Sequence, residues 1–253
     1  MRLGPLSLTF AALLVTCPAS RGAVPDPYES HRLMMARSHF ENGMKLLSSA
    51  HVPEAEAELK EAVKIFPELV DAHIQLGAIS MGRGDFAQAL ERFLAARQSL
   101  SDLQGMRHAQ EMERQRRLQE SIDLIKERIA DMRRGARVSD TGKIEQESVR
   151  LEQLERERTT AQPLSETPFT PQIHFLVGTV LMKLERFDEA HEELARAVDL
   201  RPGFGEAHNN LAVLDFYRKD YARSWEHVHA AETAGVKVDP LFRAELAALA
   251  PEA

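Results

Sequence analysis

Ten histidines are the side chains of this 253-residue sequence best suited to hold a metal ion or move a proton. Four of them recur at one interval: His39 and His73 are 34 residues apart, and so are His174 and His208. A zinc ion needs its ligands about 2 Å away. Residues one unit apart on stacked helices stand about 10 Å apart. One ion cannot gather the four, and they read as packing residues. His227 and His229 are two apart on a helix, point in different directions, and read as surface or groove residues. There is no Gly-rich phosphate loop, no H-E-x-x-H and no G-x-S-x-G. The abundant helical glutamates read as a solvated face without a shielded acid–base couple. No catalytic residue, metal site or cofactor is expected, and the chain reads as non-enzymatic.

Thirty-two Lys plus Arg against 39 Asp plus Glu give a net charge of −7. That balance argues against a general nucleic-acid binder, which needs a basic field to displace counterions from phosphate. The single cysteine, Cys17, excludes an intramolecular disulfide. It lies in residues 1–23, where Arg2 precedes a largely apolar stretch from Leu6 to Val15 and small residues follow. This is the layout of a signal peptide, and the apolar core is shorter than the roughly 20 residues a membrane span needs. Leu14-Val15-Thr16-Cys17 also resembles a bacterial lipobox, with Thr16 where that motif prefers Gly, Ala or Ser. Three readings stay open: plain secretion, a membrane tether through lipidated Cys17, and an uncleaved or unrelated apolar start.

The elements that carry the histidines follow from a repeat of small residues. Gly43 and Gly77 are 34 apart, as are Gly178 and Ala212. The same interval links Ala55 with Ala89, Ala190 with Ser224, Ala62 with Ala96, and Ala197 with Ala231. Pro67 and Pro202 close two of the units. Two helices approach to the short end of the 8–10 Å range only where the side chains at their crossing are small. The spacing therefore predicts helical hairpins over 36–69, 70–103, 171–204 and 205–238.

A 34-residue period with small residues at positions eight, twenty and twenty-seven, and proline at thirty-two, resembles the tetratricopeptide repeat (TPR). The resemblance implies an all-α solenoid of two repeat pairs, 36–103 and 171–238. It also implies a concave face lined by the first helix of each hairpin, where a protein or peptide segment binds. By position, that face includes Phe40, Met44, Ile74, Gln75, Phe175, Thr179, Met182, Asn209, Asn210, Phe216 and Tyr217. The set is rich in Phe and Met, and such an apolar groove marks an interaction surface. The chain itself could also fill it.

Residues 104–170 interrupt the repeats. Extending the small-residue register into them would force Glu111 and Asp123 into helix crossings. The segment instead reads as a coiled-coil hairpin with arms near 104–134 and 143–160, and a Pro-containing return. Leu118, Ile122, Ile125, Ile129 and Met132 form its main seam, and Ile144, Leu151 and Leu154 a weaker one. Arg133, Arg134 and Arg137 cluster at its tip. Residues 24–35 read as a linker and 239–253 as a capping helix and tail, with Phe242, Leu246 and Leu249 as its apolar stripe.

These expectations describe an adaptor or scaffold in a bacterial cell envelope, secreted or periplasmic, or membrane-anchored as a lipoprotein. The alternative is a structural spacer or homo-oligomer assembled through the hairpin.

Overall fold

A computed structural model describes residues 27–135, 141–160 and 169–251. The signal-peptide stretch with Cys17, the tip residue Arg137 and most of the proline-containing return lie outside them. Every element among the described residues is an α-helix: α1 (Pro27–Ser48), α2 (Val52–Ile65), α3 (Val70–Arg83), α4 (Phe86–Arg134), α5 (Thr141–Thr160), α6 (Phe169–Lys183), α7 (Phe187–Leu200), α8 (Gly205–Tyr217), α9 (Tyr221–Thr233) and α10 (Pro240–Leu249). None is long and apolar enough to cross a membrane.

The pairs α1/α2, α3/α4, α6/α7 and α8/α9 form the four hairpins, and the small residues sit at their crossings. Ala55, Ala62, Ala89, Ala96, Ala190, Ala197, Ala212, Ser224 and Ala231 are all completely buried. Glycine is required where the approach is tightest. A Cβ on Gly77 would lie 2.5 Å from a ring carbon of Phe93, and one on Gly178 would lie 2.7 Å from Leu194 Cγ.

Each hairpin turns in the same way. The His51, Asp85, Arg186 and Asp220 amides donate five residues back, to the Leu46, Ser80, Leu181 and Asp215 carbonyls, at 2.9 Å in every case. The preceding residue takes a left-handed conformation: Ala50 at φ 61°, Gly84 at 79°, Glu185 at 59° and Lys219 at 63°. This is the Schellman arrangement, which satisfies the last carbonyls of the first helix. Asp85 and Asp220 then cap the second helices of repeats two and four by accepting from the Gln88 and Arg223 amides at 3.2 Å.

The solenoid is continuous although the sequence is not. The first part of α4 packs on α6 as α2 packs on α3 and α7 on α8. One hydrophobic core holds Phe93, Ala96 and Leu100 together with Ile173, Val177 and Leu194. The insertion therefore leaves the stack as a side branch. Helix α4 runs 49 residues without a break, about 73 Å at 1.5 Å per residue. Its far half pairs with α5 through buried Leu118, Ile122, Ile125 and Ile129. Arg114–Glu157 (3.1 Å), Lys126–Glu155 (2.8 Å) and Arg128–Glu147 (2.8 Å) flank that seam.

Two sequence expectations need correction. The expected linker 24–35 is helical from Pro27, because α1 begins before the first repeat. Leu33 and Ala36 join the core beneath it, and the Arg32 guanidinium donates to the Ile65 carbonyl at 2.7 and 3.0 Å, closing the end of α2. The cap forms as Asp239 accepts from the Leu241 amide at 2.9 Å with Pro240 in the first turn. Its stripe, however, stops at Leu246: Leu246 is completely buried, whereas Leu249 is 57% exposed. The chain ends the helix there, and the Ala250 carbonyl accepts from Trp225 Nε1 at 2.9 Å.

Candidate functional site

The residues expected on a concave face lie on the first helices of the hairpins, α1, α3, α6 and α8. Phe40, Met44, Ile74, Gln75, Phe175, Met182 and Asn209 are half-buried. Phe40, Ile74, Phe175 and Met182 pack against the hydrophobic core on their inner side. Phe175 illustrates this: its ring lies 4.9 Å from that of Phe204, which Arg201 covers at 3.4 Å. At the N-terminal end of the face, Asp71 lies near Arg37. Burial raises the Asp71 carboxyl above its ordinary value, and the Arg37 charge opposes that rise.

The remaining expected residues have other surroundings. Thr179 and Asn210 are buried, and they use their polar groups on the protein. Asn210 Nδ2 donates to Thr179 Oγ1 at 3.2 Å, and the Thr179 hydroxyl donates to the Phe175 carbonyl at 2.8 Å. They join repeat three to repeat four. Phe216 meets the cap edge-on, with its ring 5.4 Å from that of Phe242. Helix α10 thus occupies the end of the face at repeat four. Tyr217 is 57% exposed and stacks on Phe187, 6.4 Å away, at the turn edge of the solenoid.

The four repeating histidines are more than packing residues. Each faces the residue 19 positions later, on the second helix of its hairpin, and these residues are Glu58, Arg92, Glu193 and His227. His39 Nδ1 donates to Glu58 at 2.8 Å, and His174 Nδ1 to Glu193 at 2.6 Å. His208 Nδ1 lies 2.9 Å from His227 Nδ1. Two of the four also reach back across the repeat boundary: His73 Nε2 donates to the Pro67 carbonyl and His208 Nε2 to the Pro202 carbonyl, both at 2.9 Å. A carbonyl can only accept, so both rings carry their proton on Nε2. In repeat two the facing residue is Arg92, and His73 Nδ1 is buried without a hydrogen-bond partner. Burial pushes the His73 pKa down; the Pro67 bond opposes this and the Arg92 charge adds to it. The 19-residue pairing was visible in the sequence as Glu58 and Glu193, but only the crossing of two helices makes these residues neighbours.

Glu193 serves the seam across the insertion. Beyond His174, it accepts from Arg97 on α4 at 2.9 Å and from Arg196 on its own helix at 3.5 Å. Burial alone would raise this carboxyl. The His174 hydrogen bond and the three positive neighbours outweigh burial and hold its pKa below the ordinary value. Among the described residues, no group of three His, Cys, Asp or Glu side chains could hold a metal ion.

No family model matches the chain, and no curated protein matches it. Solved structures do. One is a study of Pseudomonas aeruginosa pilF, 16% identical over 87% of this chain and 86% of that one, with a TM-score of 0.40. Another is PilW, described as a widely conserved type IV pilus biogenesis factor, 14% identical over 85% of both chains, with a TM-score of 0.43. A third is a thermophilic TPR protein of Thermus thermophilus, 18% identical over 85% of this chain and 98% of that one, with a TM-score of 0.37. Four helix pairs in a 34-residue register, crossing on buried glycine, alanine and serine and turning alike, give the chain the architecture of a tetratricopeptide-repeat solenoid.

Proposed function

We propose that this protein is a non-enzymatic adaptor that holds a protein segment along the concave face of repeats one to three, in a bacterial cell envelope. The observation that carries this reading is the row of half-buried apolar side chains on α1, α3 and α6. Phe40, Met44, Ile74, Phe175 and Met182 are each partly covered by the fold and partly open, while α10 covers the corresponding position at repeat four. Preset side chains lose little freedom when a partner docks, which is how an interaction surface gains affinity. Two methionines in the row suit partners of varied shape. The signal-like N-terminus supports the envelope, by secretion or by a lipid on Cys17.

Photocrosslinking from positions 44 and 182 in cells tests this reading. Adducts to one common partner, lost in the double substitution Phe40→Glu with Phe175→Glu, are the expected result. An unchanged adduct pattern would remove the groove from the reading.

A second reading, assembly of copies through the inserted hairpin, is favoured by Leu124 at 56% and Val149 at 47% exposure on its outer surface. Sedimentation of the full chain before and after Leu124→Glu with Val149→Glu decides it: a monomer in both cases ends that reading.

A further inference from the structure

Asp215 lies on α8 and is almost fully buried, with 2% of its side chain exposed. Three imidazoles from three helices are tied to it. His191 of α7 places Nε2 2.9 Å from Asp215 Oδ1. His227 of α9 points Nε2 at Asp215 Oδ2 from 3.6 Å. His208, about two helical turns earlier on α8, meets the other side of His227 Nδ1 to Nδ1 at 2.9 Å. A polar track therefore runs from the Pro202 carbonyl through His208, His227 and Asp215 to His191.

The protons on this track can be counted. The Pro202 carbonyl only accepts, so neutral His208 carries its hydrogen on Nε2 and offers a lone pair at Nδ1. His227 must then carry a hydrogen on Nδ1 to make the 2.9 Å bond. Its Nε2 is left as a lone pair facing a carboxylate oxygen. This explains why that contact is long and why Asp215 Oδ2 is buried without a hydrogen-bond partner. One further proton can bridge His227 Nε2 and Asp215 Oδ2, but it places a charge at a covered site that also faces His208 and His191. A second proton, on His208 Nδ1, would set two N–H groups against each other at 2.9 Å and break the contact.

We propose that His208, His227, Asp215 and His191 form an acid-sensitive latch, which holds α9 on α8 and repeat four on repeat three while the imidazoles are neutral and releases them on acidification. Fully protonated, three imidazolium rings would surround one carboxylate. The other acidic groups on the elements around the cluster do not neutralise that excess. Asp188 of α7 is paired with Arg218, just past the end of α8, at 2.5 Å; Asp220 is engaged by Arg223 of α9, and Glu232 of α9 by Arg243 of α10. Glu226 is the remaining acidic group that acts on His227. Burial pushes the His227 pKa below the ordinary imidazole value, Asp215 pulls it up, and His208 and His191 push it down. A base that binds its proton less readily in the closed form loses closure as pH falls below its open-state value of about 6.5. The latch is a property of the fold and does not rest on the groove reading.

Hydrogen exchange of the full chain at pH 7 and pH 5, corrected for intrinsic rates, tests the proposal. The α8 and α9 amides are expected to open several-fold more often at pH 5 than at pH 7. His227→Gln should abolish that excess. Asp215→Asn gives His227 Nε2 a donor and removes the carboxylate that favours the imidazolium. It should be as closed as the parent at pH 7 and more open at pH 5. Equal protection of the parent at both pH values would overturn the latch, as would the same acid opening in His227→Gln. Should His227→Gln fail to fold at pH 7, Asp215→Asn decides alone: a pH profile superposable on the parent's would overturn the proposal.

Discussion

Arg97 and Glu193 are 96 residues apart in the chain and 2.9 Å apart in the fold. Between them lies the whole inserted hairpin, yet the pair closes repeat two onto repeat three. Glu193 also takes His174, so one carboxylate joins α4, α6 and α7.

Glu193→Ala should therefore cost more than a surface ion pair does, about 1–3 kcal/mol, because Arg97, Arg196 and His174 lose their shared acceptor at a mostly covered site. The Glu193 pKa lies below the ordinary carboxyl value. Its contribution is thus fully present above about pH 4.3, the unfolded value, and is lost as pH falls through the lower folded value. Urea unfolding at pH 7 and pH 3 checks both statements: the gap between parent and Glu193→Ala should narrow at pH 3.

Gly77→Ala should destabilise the protein by about 1–3 kcal/mol through overpacking. The new methyl would stand 2.5 Å from a ring carbon of Phe93, and Phe93 is completely buried. Adding Phe93→Leu should recover part of the loss in melting temperature. Equal, additive losses would mean the two positions are not in contact.

The hairpin turns predict an effect of opposite sign. Ala50 takes φ 61° at the position that Gly84 fills in repeat two. The left-handed region costs an alanine about 1 kcal/mol, and glycine avoids most of that. Ala50→Gly should raise the melting temperature slightly, and Gly84→Ala should lower it. A fall in both would show that helix propensity outweighs turn geometry here.

The branch should melt apart from the stack. Ile122→Ala removes a completely buried side chain from the α4–α5 seam and should cost the hairpin about 2–4 kcal/mol. Hydrogen exchange should rise in α5 and in the outer half of α4, with α6 and α7 unchanged, because the core from Phe93 to Leu194 does not involve the seam.

The cap offers a further test. Trp225→Phe keeps a ring between α9 and α10 but removes the donor to the Ala250 carbonyl, and should cost about 1 kcal/mol in thermal unfolding. Leu246→Ala should cost about 2–4 kcal/mol, and Leu249→Ala close to nothing, since Leu246 is buried and Leu249 exposed.

The repeat register is legible from residue volumes alone. Side-chain size at a helix crossing is a property of single residues, so Gly43, Ala55, Ala62 and their counterparts announce the hairpins wherever they occur. The seam of the inserted hairpin is legible for the same reason, as apolar residues on one side of a helix. The rest emerges only when the helices pack. Whether a groove residue is open depends on what lies over it, and the fold alone puts Phe242 on Phe216 and Asn210 on Thr179. The polar pairs His174–Glu193 and His227–Asp215, and the stacking of repeat two on repeat three, join residues 12 to 96 positions apart. Such contacts are set by the packing angle between helices, which no local spacing encodes.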